Sequence, residues 1–316
     1  MILRSTGGPL SAALACLLLA ACSNGSPGVS APTSLAGDQT LRFPIQHDLS
    51  TLDPALIDSD AEAQVTHNLF DGLLKFDNNL NVVPDVAATM PAISADGATY
   101  TFKLRQDVAF SNGDKVTAKD VLYSWNRAAA MQGPFATNLS AIMGYDKVST
   151  NQVAGAALEA LLEKKDPSVT MAGLTAPDDY TVTVRLTGAA GWFESAIAQP
   201  SVAAMIVDQN VVKANFDAWW SKPETLVGTG AFKMSGHTAN QSLDFVALPT
   251  WWGRPKPTLS KVHVEVVSDP AVALAKYESG ALDIYGYGAF SPAATDIVKI
   301  QGNAKEKSQL VLEVTN

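Results

Sequence analysis

Hydrophobic and polar positions follow their most regular pattern over residues 68–127, and that stretch predicts a definite succession of elements. Two short runs, 73–76 and 82–83, flank the cluster Asp77-Asn78-Asn79. Those residue types tolerate left-handed backbone and close a hairpin. Pro84 follows, suited to the first turn of a helix, where its missing N–H is not needed. Asp96-Gly97 predicts a turn. Beyond it Tyr100, Phe102 and Leu104 alternate with Thr101, Lys103 and Arg105, the period of a strand with one face buried. Asn112-Gly113 predicts a second turn. Thr117 with Asp120 then reads as an N-cap with an acid in the first turn, ahead of Val121, Leu122 and Trp125.

The rest of the chain carries weaker versions of the same signals. Residues 41–46 read as an opening strand, and Pro44 inside it points to an edge or a bulge. Ser59-Asp60-Ala61-Glu62 reads as a capping box, with Ser59 as N-cap and Glu62 reaching back. Val65, Leu69 and Leu73 then fall on one face. Tyr180, Val182, Val184 and Leu186 alternate after the Asp178-Asp179 turn, and residues 243–248 and 262–267 are two further strands. Asp269-Pro270 starts a helix that stops at Gly280. A strand over 282–285 and a helix over 291–300 complete the reading.

Composition narrows the function. The chain has 316 residues, 47% hydrophobic and 17% charged, with net charge −9. That is ordinary globular chemistry on a length sufficient for two packed units. No stripe of Lys and Arg exists to displace phosphate counterions, which argues against nucleic acid as a partner. At the N-terminus, Arg4 precedes an apolar stretch, 10–19, that is too short to span a bilayer. It ends in Leu19-Ala20-Ala21-Cys22, similar to a bacterial lipobox, so residues 1–21 read as a lipoprotein signal peptide and Cys22 as the lipid-attachment residue. A plain export signal is the alternative. Residues 22–37, rich in Ser, Gly and Pro, read as a flexible tether. Both cysteines, Cys16 and Cys22, lie in this region, so the mature domain has neither a disulfide nor a cysteine metal site.

Several tempting motifs carry no chemistry. Gly228-Thr229-Gly230 lacks the Gly-Lys-Ser/Thr that would hold a phosphate. His47, His67, His237 and His263 are scattered without paired spacing, and no metal or other cofactor is expected. Asp77 and Asp85 read as turn residues and not as a catalytic pair. No nucleophile–base arrangement points to an enzyme. Trp219-Trp220 and Trp251-Trp252 offer stacking surfaces, but adjacent side chains on a strand face opposite ways, so one of each pair at most can face a site. Core packing is expected for Trp251-Trp252.

The run NLFDGLLKFD through NVVPDVAATMPAISADGATYTFKLRQDVAFSNGDKVTAKDVLYSWNR, the turn Leu52-Asp53-Pro54, and the later Gly228-Thr229-Gly230-Ala231-Phe232, Leu248-Pro249-Thr250-Trp251-Trp252-Gly253 and Ser279-Gly280-Ala281-Leu282-Asp283 share one likeness. They resemble the family 5 extracytoplasmic solute-binding proteins of ABC importers, the oligopeptide-, dipeptide- and nickel-binding type. Ala231 stands where that family usually has Pro, and Pro249 where it has an aspartate. The resemblance runs from Leu41 to the end of the chain.

That resemblance implies an α/β fold: a periplasmic-binding-protein type II-like lobe, a mixed sheet with flanking helices, built from 38–75 and 200–316. An inserted α+β accessory subdomain over 76–199 is implied as well. It implies capture of oligopeptides outside the cytoplasmic membrane by a monomer that is lipid-anchored and not an enzyme, with ABC permease and ATPase subunits as partners. The implied ligand-facing residues are Ser59 and Asp60, Phe135 in Gly133-Pro134-Phe135, and Tyr285, Gly286 and Tyr287. An extended peptide would be held there by main-chain hydrogen bonds. In the family a strand like 310–314 leads into a second lobe, whose acid pairs with the peptide's amino terminus. The resemblance thus implies that the second lobe is missing, that apolar surface is exposed where it would pack, and that the lobe alone binds peptide weakly or not at all. Another small ligand, a nickel chelate or an oligosaccharide, and a non-transport surface or signalling lipoprotein of the same fold remain open.

Overall fold

The computed structural model describes residues 37–199, 203–286, 288, 290–303 and 307. Cys22, the tether up to residue 36, Tyr287 and the strand expected over 310–314 lie outside the described residues. The first elements are β1 (Thr40–Ile45), α1 (Asp60–Thr66), β2 (Leu74–Phe76), β3 (Val82–Pro84), β4 (Ala92–Ile93) and β5 (Thr99–Lys103). Next come α2 (Ala118–Met131), α3 (Tyr145–Ser149), α4 (Gly155–Glu163), β6 (Leu174–Asp178), β7 (Thr181–Arg185), α5 (Phe193–Ile197) and α6 (Gln209–Ala214). The last are β8 (Phe232–Thr238), β9 (Ser242–Ala247), β10 (Lys261–Val266), α7 (Pro270–Glu278) and α8 (Ala294–Gly302).

Two four-stranded sheets and one hairpin organise these elements. The first sheet has the order β1-β10-β9-β8, with β1 parallel to β10 and the other pairs antiparallel. Strands β8 and β9 alternate, as a sheet buried on one face requires, whereas β1 buries Phe43, Pro44 and Ile45 in succession. Phe43, Ile45, Leu243, Phe245 and Val264 are buried, and Val65 and Leu69 from the α1 region pack with them. Arg42, Asp244, His263 and Glu265 occupy the intervening positions. The second sheet, β4-β5-β7-β6, is antiparallel and drawn wholly from residues 92–185. Tyr100, Phe102, Val182 and Val184 are buried together with Trp125 of α2. That apolar cluster also takes in Leu73, Leu74, Ala203, Ile206 and Val227, so core packing runs continuously past residues 75 and 200.

Local reading and structure differ at Pro84, at Leu80, over residues 282–285 and at Glu62, besides the differences at Asp85 and Trp251-Trp252 described with the site. Pro84 does not start a helix; it ends β3 opposite Leu74. An edge strand accommodates a residue without an N–H, and the ladder resumes at Asp85, whose N–H donates to the Leu73 carbonyl at 3.0 Å. The left-handed residue of the preceding hairpin is Leu80 (φ +61°), not Asp77, Asn78 or Asn79. The Asp77 carboxylate accepts from the Asn79 and Asn81 N–H groups at 2.8 and 2.9 Å, and this local bonding leaves Leu80 to complete the turn. Residues 282–285 form no strand. Asp283 bridges to β1 instead: its N–H donates to the Arg42 carbonyl at 2.8 Å, and its carboxylate takes the Arg42 N–H at 2.7 Å. Glu62 does not reach back to Ser59, and its actual partners belong to the site described next.

Candidate functional site

The segment between β1 and α1 is a loop without regular structure, shaped by buried carboxylates. Ser59 is the N-cap of α1, its hydroxyl accepting from the Glu62 N–H at 3.3 Å. The Glu62 side chain turns the other way. Its Oε1 accepts from the Ser50 N–H at 3.0 Å, the Thr51 N–H at 3.1 Å and the Ser50 hydroxyl, and its Oε2 accepts from the Asp58 N–H at 2.9 Å. Glu62 is 1% exposed. Burial alone would push its carboxyl up, but the Ser50 hydroxyl and the N–H groups of Asp58, Thr51 and Ser50 hold it below the ordinary carboxylate range.

The middle of the loop is fixed from α2. Arg127 Nη1 donates to Asp53 Oδ1 at 2.9 Å and Nη2 to Oδ2, with both side chains buried. The Trp219 indole N–H reaches the same carboxylate at 3.4 Å, and Glu159, held by the Tyr123 hydroxyl at 2.7 Å, lies 3.9 Å from Arg127 Nε. Just past the end of α2, Gly133 lies directly on this loop, where a Cβ would stand 1.8 Å from the Ala55 carbonyl oxygen. Only glycine allows that approach. Phe135, half-buried, follows two residues later at the start of the short 3₁₀ turn Ala136–Leu139.

A third segment reaches α1 from the C-terminal side. A Cβ on Gly288 would stand 2.2 Å from Gln64 Oε1, so Gly288 lies against the side chain of Gln64 on α1. Gly286 takes a left-handed φ of +77° with Pro292 packed against it. Tyr285 is turned into the fold. Its hydroxyl donates to Asp296 Oδ2 at 2.6 Å, and its ring packs against Phe290 and Tyr277 at centroid distances of 5.6 and 6.5 Å. Burial, and after it the Asp296 carboxylate, raise its hydroxyl pKa. Ser59 and Asp60 are exposed. Two segments thus meet the stretch 55–64 that carries the Ser59-Asp60 corner: the Phe135 loop through Gly133 at Ala55, and Gly288 at Gln64.

Two further features were not apparent from the residues alone. A groove of about 210 Å³ opens on the apolar face of the first sheet, lined by Leu41, Phe43, Leu69, Phe245, Val262 and Ile284 among others. Near the hairpin, Asp71 and Asp85 line one small cavity with Lys75 and His67. Asp85 is no turn residue: it is buried directly after β3 and ion-paired to Lys75 Nζ at 2.8 Å. Asp71 donates its N–H to Thr229 Oγ1 at 2.7 Å, and its carboxyl oxygen Oδ2 is buried without a hydrogen-bond partner among the described residues. Burial, and then the neighbouring Asp85, push its pKa up to about 7.

Gly228 and Gly230 have a packing role. A Cβ on either would stand 2.0 and 2.3 Å from the carbonyl oxygens of Leu69 and Asn68, so two backbones cross there in contact. Trp251 and Trp252 do not face opposite ways, since they sit in a turn and not on a strand. Their rings pack on each other at 5.8 Å, and the Trp252 N–H bonds the Thr229 carbonyl at 3.1 Å. Trp219 is fully buried against Phe70. Among the described residues, no group of three or more His, Cys, Asp or Glu is placed to hold a metal ion.

Comparison with known proteins identifies relatives of the chain. Residues 81–314 match the family model of bacterial extracellular solute-binding proteins, family 5 Middle. Over 240 residues the chain is 30% identical to the periplasmic oligopeptide-binding protein OppA of Haemophilus influenzae, covering 75% of this chain and 41% of that one. The crystal structure of Haemophilus influenzae OppA in complex with RPPGFSPFR matches with a TM-score of 0.72 at 26% identity, over 85% of this chain and 49% of that one. The structure of the Escherichia coli murein tripeptide binding protein MppA matches with a TM-score of 0.73 at 27% identity, over 85% and 49%. The chain thus spans less than half the length of these relatives.

Proposed function

This chain belongs to the bacterial extracellular solute-binding proteins of family 5, and we propose that it captures oligopeptides outside the cytoplasmic membrane for delivery to an ABC permease driven by its ATPase subunits. In this reading Cys22 carries the lipid that keeps a monomer near the permease. The observation that carries the proposal is that Gly133, two residues before Phe135, and Gly288, two residues after Gly286, both come against the stretch 55–64 that holds the exposed Ser59-Asp60 corner. These segments supply what an extended peptide needs. Exposed backbone at a corner and a loop can pair with the peptide main chain, and an aromatic side chain offers an apolar wall. Main-chain pairing is indifferent to sequence, and hydrated pockets tolerate varied side chains. Peptide complexes and a murein tripeptide in the names of the related structures support the same ligand class.

The test compares ligand classes on the purified chain. Thermal melts are recorded with increasing di- to pentapeptides, a nickel chelate or an oligosaccharide. A ligand that binds only the native state raises the transition in proportion to its occupancy. The proposal expects a saturable rise with peptides alone. A rise with the chelate or the sugar, and none with peptides, overturns it.

A further inference from the structure

We propose that Glu62 is the positioning residue of the candidate site: its buried carboxylate, by stapling both ends of the loop over residues 50–58, sets the shape in which Ser59 and Asp60 are presented to ligand. The inference deepens the peptide-capture reading and rests on it. The helix itself is a poor determinant of that shape. α1 has seven residues, too few to hold helical structure without tertiary support. The side-chain bonds are better placed. Oε1 takes the N–H groups of Ser50 and Thr51 together with the Ser50 hydroxyl, and Oε2 takes the N–H of Asp58. The donors flank the turn that Arg127 grips at Asp53. One carboxylate thus fixes the chain before and after that turn, immediately ahead of Ser59.

The chemistry requires glutamate. A carboxylate offers acceptor positions on both oxygens, and here both meet donors. A glutamine must turn its NH₂ either toward Ser50 and Thr51 or toward Asp58, placing donor against donor inside a buried site. Aspartate is one methylene shorter and cannot reach both ends. Bonds to a buried charge are among the stronger ones, so their loss is felt.

Amide hydrogen exchange and peptide titration on the full chain, wild type against Glu62→Gln, test the proposal. Exchange at the Ser50, Thr51 and Asp58 amides should quicken roughly 10- to 100-fold, while amides of β9 and β10 keep their protection. Peptide affinity should fall by roughly tenfold or more. Unchanged exchange at those three amides overturns the proposal, as does unchanged affinity in a wild type that binds. A wild type that takes up no peptide overturns the proposed function instead, and the exchange comparison still decides the staple. If the variant does not fold, Ser50→Ala removes one hydroxyl donor and should speed the same amides by a smaller factor; no change there overturns the proposal.

Discussion

Arg127 on α2 and Asp53 in the turn before α1 lie 74 residues apart in sequence and meet as a buried two-point ion pair, Nη1 2.9 Å from Oδ1. The pair ties the helix that leads to Phe135 to the loop that leads to Ser59. Removing one partner strands the other charge in the core. Arg127→Met should cost about 3–5 kcal/mol of unfolding free energy, measured by urea titration. Lys119→Ala breaks an ion pair of similar length, 3.0 Å to Asp179, with both side chains exposed, and should cost less than about 1 kcal/mol. Equal effects would show that the burial of the Arg127 pair is not what matters.

Gly133 and Gly113 predict a second contrast. At Gly133 an added Cβ meets the Ala55 carbonyl oxygen at 1.8 Å, and neither backbone can yield without moving the site. Gly133→Ala should destabilise by about 3 kcal/mol and disturb the amides of residues 55–56 in NMR spectra. Gly113 has φ +99° and open space around it. Gly113→Ala should cost only the backbone strain, about 1 kcal/mol, with no effect at the site.

Asp71 predicts a pH dependence. Its folded pKa, pushed up to about 7 from 3.8, means that the native state holds a proton the unfolded chain has already lost. Stability therefore falls as pH rises between those two values, and the penalty is complete above the folded pKa. Asp71→Asn removes the ionisable group and should stabilise the protein at pH 8, by up to about 4 kcal/mol, while changing little at pH 4. Urea midpoints of wild type and variant at the two pH values check this. A wild-type-to-variant difference that does not change with pH would contradict it.

Local structure was legible wherever its cause was local. β5, β7, β9 and β10 follow from alternation, and α2 and α7 from their caps, because the residues that decide them lie within a few positions. Thr117 and Asp120 form the expected cap, the Thr117 N–H donating to Asp120 Oδ2 at 2.9 Å. Pro84 misleads because its ring suits both a helix start and an edge strand, and pairing with β2 decides between them. Glu62 misleads because the N–H groups of Ser50, Thr51 and Asp58, 12, 11 and 4 residues upstream, outcompete the local capping box. At the site, Ser59 and Asp60 were visible as a helix start. Phe135 and Gly286 came from the family resemblance alone, since an aromatic in a loop and a glycine in a turn have no distinguishing local pattern. The grip of Arg127 on Asp53 and the meeting of Asp71 with Asp85 are products of tertiary folding, which no spacing along the chain announces.

The most direct test of the account is an amide NMR titration of the chain with a di- to pentapeptide pool. The account predicts saturable shifts concentrated at residues 58–60, at Phe135 and at Gly286 and Gly288, with the outer strands of the second sheet unmoved. Saturable shifts confined to the apolar groove around Phe43 and Val262, or none at any peptide concentration, would contradict it.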